Sequence, residues 1–117
     1  MKFLQMVKAR EDQGTPPQAL FDAMGKYIEE YSASGKLVTT GGLLPTSAGA
    51  VVRGSGGQVI VSDGPFAEAT EVVGGYAIIE AASLAEAIED AKAFVQLHID
   101  NWPGWEGESE TRQIADF

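Results

Sequence analysis

Residues 74–81 read GGYAIIEA, and residues 83–97 read SLAEAIEDAKAFVQL. The first run is almost entirely apolar and predicts a central β-strand, covered on both faces over part of its length. In the second run Ser83 is a typical helix N-cap, and Glu86, three residues further on, completes a capping box. Apolar residues then recur at helical spacing. A buried strand followed directly by an amphipathic helix indicates a mixed α and β fold.

The rest of the chain extends this unit to the order β-α-β-β-β-α-β. The pattern predicts a first strand at Lys2–Lys8, and then a helix capped by Thr15 that has Pro16 and Pro17 in its first turn and stops at Ser34-Gly35. It also predicts an extended segment at Leu37–Leu44, a hairpin of short strands at Ala50–Arg53 and Gln58–Ser62, and a last strand at Glu108–Ile114 on a sheet edge or in an exposed position. The glycine-rich link at residues 54–57 is the turn of that hairpin.

Two helices of this length cover only one face of an antiparallel sheet. The other face would carry Tyr76, Ile78, Val59 and Val61, an apolar surface that is unfavourable in contact with water. Packing two such faces together removes it from water. We therefore expect a homodimer of two α+β units.

Length and composition bound the function. The 117 residues fit a single domain spanning 1–117, and the absence of cysteine excludes disulfides and thiol chemistry. With 17 acidic and 8 basic residues the net charge is −9, which argues against nucleic-acid binding. No apolar stretch approaches the ~20 residues of a membrane span, and the basic residues near the start do not fit a signal peptide. We expect a cytoplasmic protein without a membrane contact.

Three stretches together carry a family resemblance. They are DGPFAEATEVVGGYAIIEAASLAEAIEDA at residues 63–91, MGKYIEEYSASGKLVTTGGLLP at residues 24–45 and GWEGESETRQI at residues 104–114. In this order they closely resemble the YCII-related domain family in its DGPF-type branch. The resemblance implies a ferredoxin-like antiparallel sheet with two helices on one face, and a dimeric α/β barrel with a cleft between sheet and helices.

The same resemblance implies little about activity. Relatives are mostly of unassigned function; some are linked to lactone or chlorinated-aromatic breakdown, and others occur with extracytoplasmic-function sigma factors. A His–Asp pair is proposed as the active site in the wider YciI-like branch. Met24 stands where that histidine would align, and Ala69-Thr70 stands where Thr-Lys is commoner. The resemblance therefore does not carry the His–Asp pair to this chain.

Asp63 is the candidate catalytic residue. A carboxylate at a strand end, before Gly64 and Pro65, can project into a cleft and act as a general base if it is partly buried beside Phe66. The alternative is an Asx-turn, in which the carboxylate accepts backbone N–H bonds across the bend. The sequence leaves both roles open.

Four further residues are candidate ligand-binding residues: Phe66, Tyr76, Glu80 and Arg112. Arg112 can clamp a substrate carboxylate or pair with the neighbouring Glu108 and Glu110. Glu80 is either a buried acid or a solvated strand end. Glu68 and Glu71 either line the opening near Asp63 or solvate a loop.

The remaining polar and aromatic candidates favour structural roles. His98 is the single histidine and is expected at the C-terminal end of the second helix, where the helix dipole favours its charged form. Trp102 and Trp105 are expected to pack rather than to stack on a ligand. We predict neither a metal nor a cofactor, since one histidine without cysteines does not make a zinc site.

Two functions remain at this stage. The first is a dimeric lyase or isomerase that acts on a small organic acid or ring-cleavage product in a cleft lined by Asp63, Phe66 and Tyr76. The ligand would be a small anionic or aromatic molecule. The second is a non-catalytic module that binds a small ligand or a regulatory partner such as a sigma factor. Replacement of Asp63 separates the two.

Overall fold

The chain alternates strands and helices in the manner of an α+β domain. The computed structural model describes residues 1–66 and 69–116. Within them lie β1 (Lys2–Ala9), α1 (Gln18–Ala33), β2 (Leu37–Gly42), a turn of 3-10 helix (Thr46–Ala48), β3 (Ala50–Ser55), β4 (Gln58–Asp63), β5 (Val72–Glu80), α2 (Leu84–Asn101) and β6 (Gly107–Gln113).

Four of the strands form one antiparallel sheet in the order β2-β5-β1-β6. The central position of β5 and the edge position of β6 are both confirmed. Residues 37–42, which we predicted only as an extended segment, form edge strand β2 because they pair with β5. The hairpin strands β3 and β4 make a separate two-stranded sheet. The described residues thus contain two antiparallel sheets rather than the single one predicted, and neither closes into a barrel.

The core lies between the four-stranded sheet and the helices. Phe3 on β1 and Ile79 on β5 are direct partners in the register, and both are almost completely removed from water. Ala81 and Ala87 complete the buried cluster, so α2 approaches the sheet closely through a small side chain. The Gln5 side chain, buried on the same face, donates a hydrogen bond to the Ala87 carbonyl at 2.8 Å. It thereby ties α2 to β1.

The predicted start of α2 is confirmed. The backbone N–H of Glu86 donates to Ser83 Oγ at 3.1 Å, and the N–H of Ala82 donates to the Glu86 carboxylate. The predicted Thr15 cap of α1 is wrong: the helix begins at Gln18, and Pro17 occupies the N-cap position without a side-chain cap. Each of two successive prolines keeps the residue before it out of the helical region, so Thr15 and Pro16 cannot begin a helix.

The two helices are joined through Asp90. Its carboxylate is buried on α2 and accepts a hydrogen bond from Tyr31 Oη of α1 at 3.0 Å. Lys36, at the entrance to β2, lies 2.9 Å from the same carboxylate, and this contact raises the pKa of the lysine. The buried Asp90 carboxylate is therefore paired with a cation, and its contacts position α1, α2 and β2 relative to one another.

A row of aromatic rings runs between the helices. Tyr31 stacks on Tyr27, Tyr27 contacts Phe94, and Phe94 contacts His98, whose ring lies 4.7 Å from that of Trp105. Trp105 is buried, which confirms its packing role. The predicted position of His98 in the last turn of α2 is confirmed, but its charged form is disfavoured there, because the ring is buried among aromatic neighbours. Burial lowers the pKa of His98 below its usual value.

The opposite face of the four-stranded sheet, which we call the open face, has no helix over it. Leu4 and Met6 of β1 lie on it beside their register partners Ile78 and Tyr76 of β5. On β6 the same face carries Glu108, Glu110 and Arg112. The Tyr76 ring lies across Gly41 of β2, where an added Cβ would come within 2.9 Å of it. An apolar row of half-buried side chains with a charged border thus lies on this face of the single chain.

The β3–β4 hairpin projects from this body, and we call residues 50–63 the arm. Cross-strand partners share a face, so one face carries Val52, Val59 and Val61, which we call the valine face. These three side chains are 66%, 76% and 62% exposed, so the described residues leave most of their surface in contact with water. The Cα radius of gyration, 15.8 Å, exceeds the roughly 13 Å of a compact chain of this length. A projecting arm accounts for part of the difference.

Neither helix in the described residues is long and apolar enough to cross a membrane.

The buried His98 ring predicts a pH dependence of stability. Its folded pKa is lowered, so on acidification the unfolded chain takes up the proton first. We expect the free energy of unfolding to fall between about pH 7 and pH 5, above the range in which carboxylates titrate. Urea titrations at several pH values would measure it. His98→Phe keeps the aromatic packing and should flatten the dependence in this window; equal slopes for both chains would contradict the prediction.

Candidate functional site

The predicted site around Asp63 lies where β1 and β2 end and the arm begins. A cavity of about 470 Å³ opens there, lined by Arg10, Glu11, Asp12, Pro65, Phe66, Ala69 and Thr70. This volume is within the range of small-molecule sites. Of the two predicted residues in this region, Phe66 lines the cavity, and Asp63 lies three residues before it at the base of the arm.

The Glu11 carboxylate holds this region together. Its Oε2 accepts a hydrogen bond from the backbone N–H of Thr46 at 2.9 Å, and its Oε1 accepts one from Thr46 Oγ1 at 2.5 Å. These bonds to the ionised form lower the pKa of Glu11. The Thr46 hydroxyl in turn accepts a hydrogen bond from the N–H of Phe66 at 3.1 Å. Three distant chain segments therefore meet in one network, the Glu11–Thr46 clamp.

Gly64 fits against this clamp because it has no side chain. An added Cβ would lie 1.6 Å from the carbonyl oxygen of Thr46. The N–H of Gly64 donates to the carbonyl of Gly49 at 2.9 Å, which joins the two ends of the arm. The peptide bond to Pro65 is cis. The close approach explains the glycine after Asp63 in this stretch of sequence.

Asp63 is the last residue of β4 and lies exposed in the single chain. It pairs with Ala50 in the hairpin ladder, on the same face of the arm as the three valines. Within the described residues its carboxylate accepts no hydrogen bond, so the turn-forming bonds of the alternative role are not seen among them. The catalytic role of Asp63 stays a prediction.

Arg10 and Asp12 form an ion pair on the wall of the cavity. Arg10 Nε donates to Asp12 Oδ1 at 2.9 Å and Nη2 donates to Oδ2 at 2.5 Å. The pairing raises the pKa of Arg10 and lowers that of Asp12. Both side chains are well exposed, so the pair adds little to stability.

The other three predicted ligand-binding residues lie on the open face, away from this cavity. Tyr76 is at the middle of β5, and Arg112 is opposite Leu4 on β6. Glu80 ends β5, where its carboxylate lies 3.3 Å from the N-terminal amino group. Four residues of strand separate Tyr76 from Glu80, roughly 13 Å. The structure therefore divides the five predicted residues between two places.

The ion pairs at the border of the open face differ from the pairing that was predicted for Arg112. Lys8, not Arg112, forms the ion pairs with Glu108 and Glu110, at 3.5 and 3.2 Å. In the part of the chain that the structure describes, the Arg112 guanidinium has no acidic partner. Glu71 is exposed, and Glu68 lies outside the described residues.

Sequence reasoning did not find Glu11 or Thr46. They are 35 residues apart, neither belongs to a motif, and Glu11 lies in a polar stretch that reads as a simple turn. Only the folded arrangement brings them together. By contrast, the DGPF stretch at residues 63–66 indicates from the sequence alone which part of the chain lies at this site.

Comparison with known proteins identifies the family. The model of the YCII-related domain matches residues 1–97, from β1 to the last turns of α2. The chain belongs to the YCII-related domain family. The match includes the Glu11–Thr46 clamp, the arm and β5, and it ends before β6.

A curated relative of this YCII-related domain is an uncharacterized protein of Rhizobium meliloti (strain 1021). The two are 46% identical over 67 residues, which cover 57% of this chain and 51% of the relative. The chain thus aligns with about half the length of that protein. Its description names no activity.

The Glu11–Thr46 clamp predicts that substitution by alanine destabilises the protein much more at one glycine than at another. Gly64→Ala should lower the free energy of unfolding by about 2 kcal/mol or more, because the new methyl group overlaps the Thr46 carbonyl and forces the backbone apart. Gly74→Ala is the control, since an added Cβ there meets no atom within 4 Å. It should change stability by less than about 1 kcal/mol. Urea unfolding measures both, and equal losses would show that the close approach is absent.

Proposed function

We propose that this YCII-related domain acts as a homodimer that binds a small carboxylate with an apolar or aromatic body on the open face of its sheet. One observation supports this most directly: an apolar row, Leu4, Met6, Ile78 and Tyr76, is bordered by Arg112, a guanidinium without an acidic partner among the described residues. The row offers contact for a ring or chain, and the guanidinium offers a bidentate partner for a carboxylate.

The ion pairs among the described residues favour an anion at Arg112 rather than at Lys8 or Arg10. Lys8 is already neutralised by Glu108 and Glu110, and Arg10 by Asp12. Arg112 is opposite Leu4, directly beside the apolar row. A ligand with its carboxylate on Arg112 would therefore have its body over Leu4 and Ile78.

A second copy of the chain completes this proposal. Sheets stack face to face at about 10 Å, which leaves room for interdigitated side chains and, where residues are small, for a flat ligand. Two open faces packed together would remove the apolar row from water and enclose the ligand between them.

Catalysis is the further part of the proposal. Lyases and isomerases of small organic acids commonly begin by removing a proton, and Asp63 is a carboxylate free to accept one. Its exposure in the single chain favours the alternative, a module that binds without turnover, because activation of a carboxylate as a base normally requires burial.

Binding can be tested with one charge variant and one control. In a thermal-shift screen of benzoates, phenylacetates and short aliphatic carboxylates, a ligand at about 100 times its Kd should add roughly 2.7 kcal/mol to stability. Arg112→Met should abolish the shift. Lys26→Met, which removes the same charge from an exposed position on α1, should retain it. Equal shifts for the two variants would exclude the open face as the site.

Turnover is tested on whichever compound stabilises the protein. Asp63→Asn should retain the thermal shift and lose conversion of the compound, as followed by chromatography of the products. If the wild-type chain binds the compound and leaves it unchanged, the binding module is the correct assignment.

A further inference from the structure

The arm is the most exposed apolar feature of the chain, and its charge differs from that of the rest. All 17 acidic residues lie outside residues 31–62, a stretch that holds two of the eight basic residues, Lys36 and Arg53. The same stretch holds more than half of the exposed large apolar side chains: Val38, Leu43, Leu44, Val52, Val59, Ile60 and Val61. A strongly acidic protein thus concentrates uncovered apolar surface where it has no carboxylate.

We infer that the arm is a self-association element: the valine face of one copy packs against the valine face of a second copy. In a chain with a net charge of −9, two copies repel one another over most of their surfaces. The valine face carries one carboxylate, Asp63 at its base, so two antiparallel arms can pack their valines without placing one carboxylate opposite another. A twofold contact also requires a patch that is complementary to itself, and a flat row of small aliphatic side chains meets that requirement.

The base of the arm is fixed, so the valine face has a defined direction. The Gly64 N–H bond to Gly49 joins its two ends, and the Glu11–Thr46 clamp holds the segment that follows. The six residues of each arm strand span about 20 Å, long enough to reach beyond the body of the domain. A fixed base limits the entropy lost when the second copy binds.

The contact would also change the surroundings of Asp63. This residue ends the valine face at the base of the arm, and Val59 lies on the same face near the tip. About a twofold axis through the middle of two antiparallel arms, the base of one lies beside the tip of the other. The partner copy then covers Asp63 with its Val59, so a partly buried carboxylate arises only in the assembled protein. This step rests on the proposed function of Asp63; the arm contact does not.

The absence of cysteine makes cross-linking a direct test, because each variant carries a single thiol. Val61→Cys places it on the valine face, and Ile60→Cys places it on the opposite face of the same strand. Under mild oxidation we expect Val61→Cys to form the covalent dimer at least about tenfold faster, a difference equivalent to about 1.4 kcal/mol. Leu44→Cys, on an exposed loop, gives the rate of random collision. Equal rates for all three, or no dimer with Val61→Cys, would overturn the inference.

A charge placed in the patch gives an independent readout without cysteine. Val61→Asp should weaken association about tenfold or more in sedimentation equilibrium, because it brings like charges together across the interface. Ile60→Asp should leave it unchanged, and both side chains are exposed, so folding is not at risk. If Val61→Asp associates as the wild type does, the arm contact is excluded. The thermal shift caused by carboxylates, and its loss in Arg112→Met, are measured in a separate experiment. Failure of the arm contact can therefore be told apart from failure of the proposed carboxylate binding.

Discussion

Two helices cover one face of a four-stranded sheet, and this limitation shapes the whole molecule. The alternation of side chains along β1 and β5 sends Phe3 and Ile79 toward the helices and Met6 and Ile78 away from them. The first pair forms the small buried core. The second pair is only half-buried, because no helix among the described residues lies over it. A protein built in this way keeps one surface available for a ligand or a second chain.

The elements predicted best from the sequence are those determined by neighbouring residues. The cap at Ser83, the apolar run of β5 and the glycine-rich hairpin turn are each contained within a few residues. The residues of strand β2 predict only an extended segment, because its pairing with β5 spans almost forty residues, and its own composition, with two threonines and two glycines, does not distinguish it from an extended loop.

The site was predictable only in part, for the same reason. Residues 63–66 indicated where the chain turns into the cavity, but the clamp that holds that turn is made by Glu11 and Thr46, which are remote in sequence. The expected cleft joining Phe66 to Tyr76 is divided in the single chain, because Tyr76 lies over Gly41 on the open face. His98 was misjudged because its burial depends on Trp105 and Phe94, which only the packed helix brings around it.

The arm and the body also differ in how freely each can change. Gly56 and Gly57 at the tip have positive φ angles and open space around them, whereas Gly64 at the base is in close contact with Thr46. Residues can be inserted or deleted at the tip without contact with the core, although the positive φ angles there favour glycine, whereas a side chain at Gly64 would overlap Thr46. Descendants of one ancestral domain could therefore diverge in the length of the arm while they inherit the same fixed base. Such a division lets natural selection alter which chains associate without rebuilding the fold.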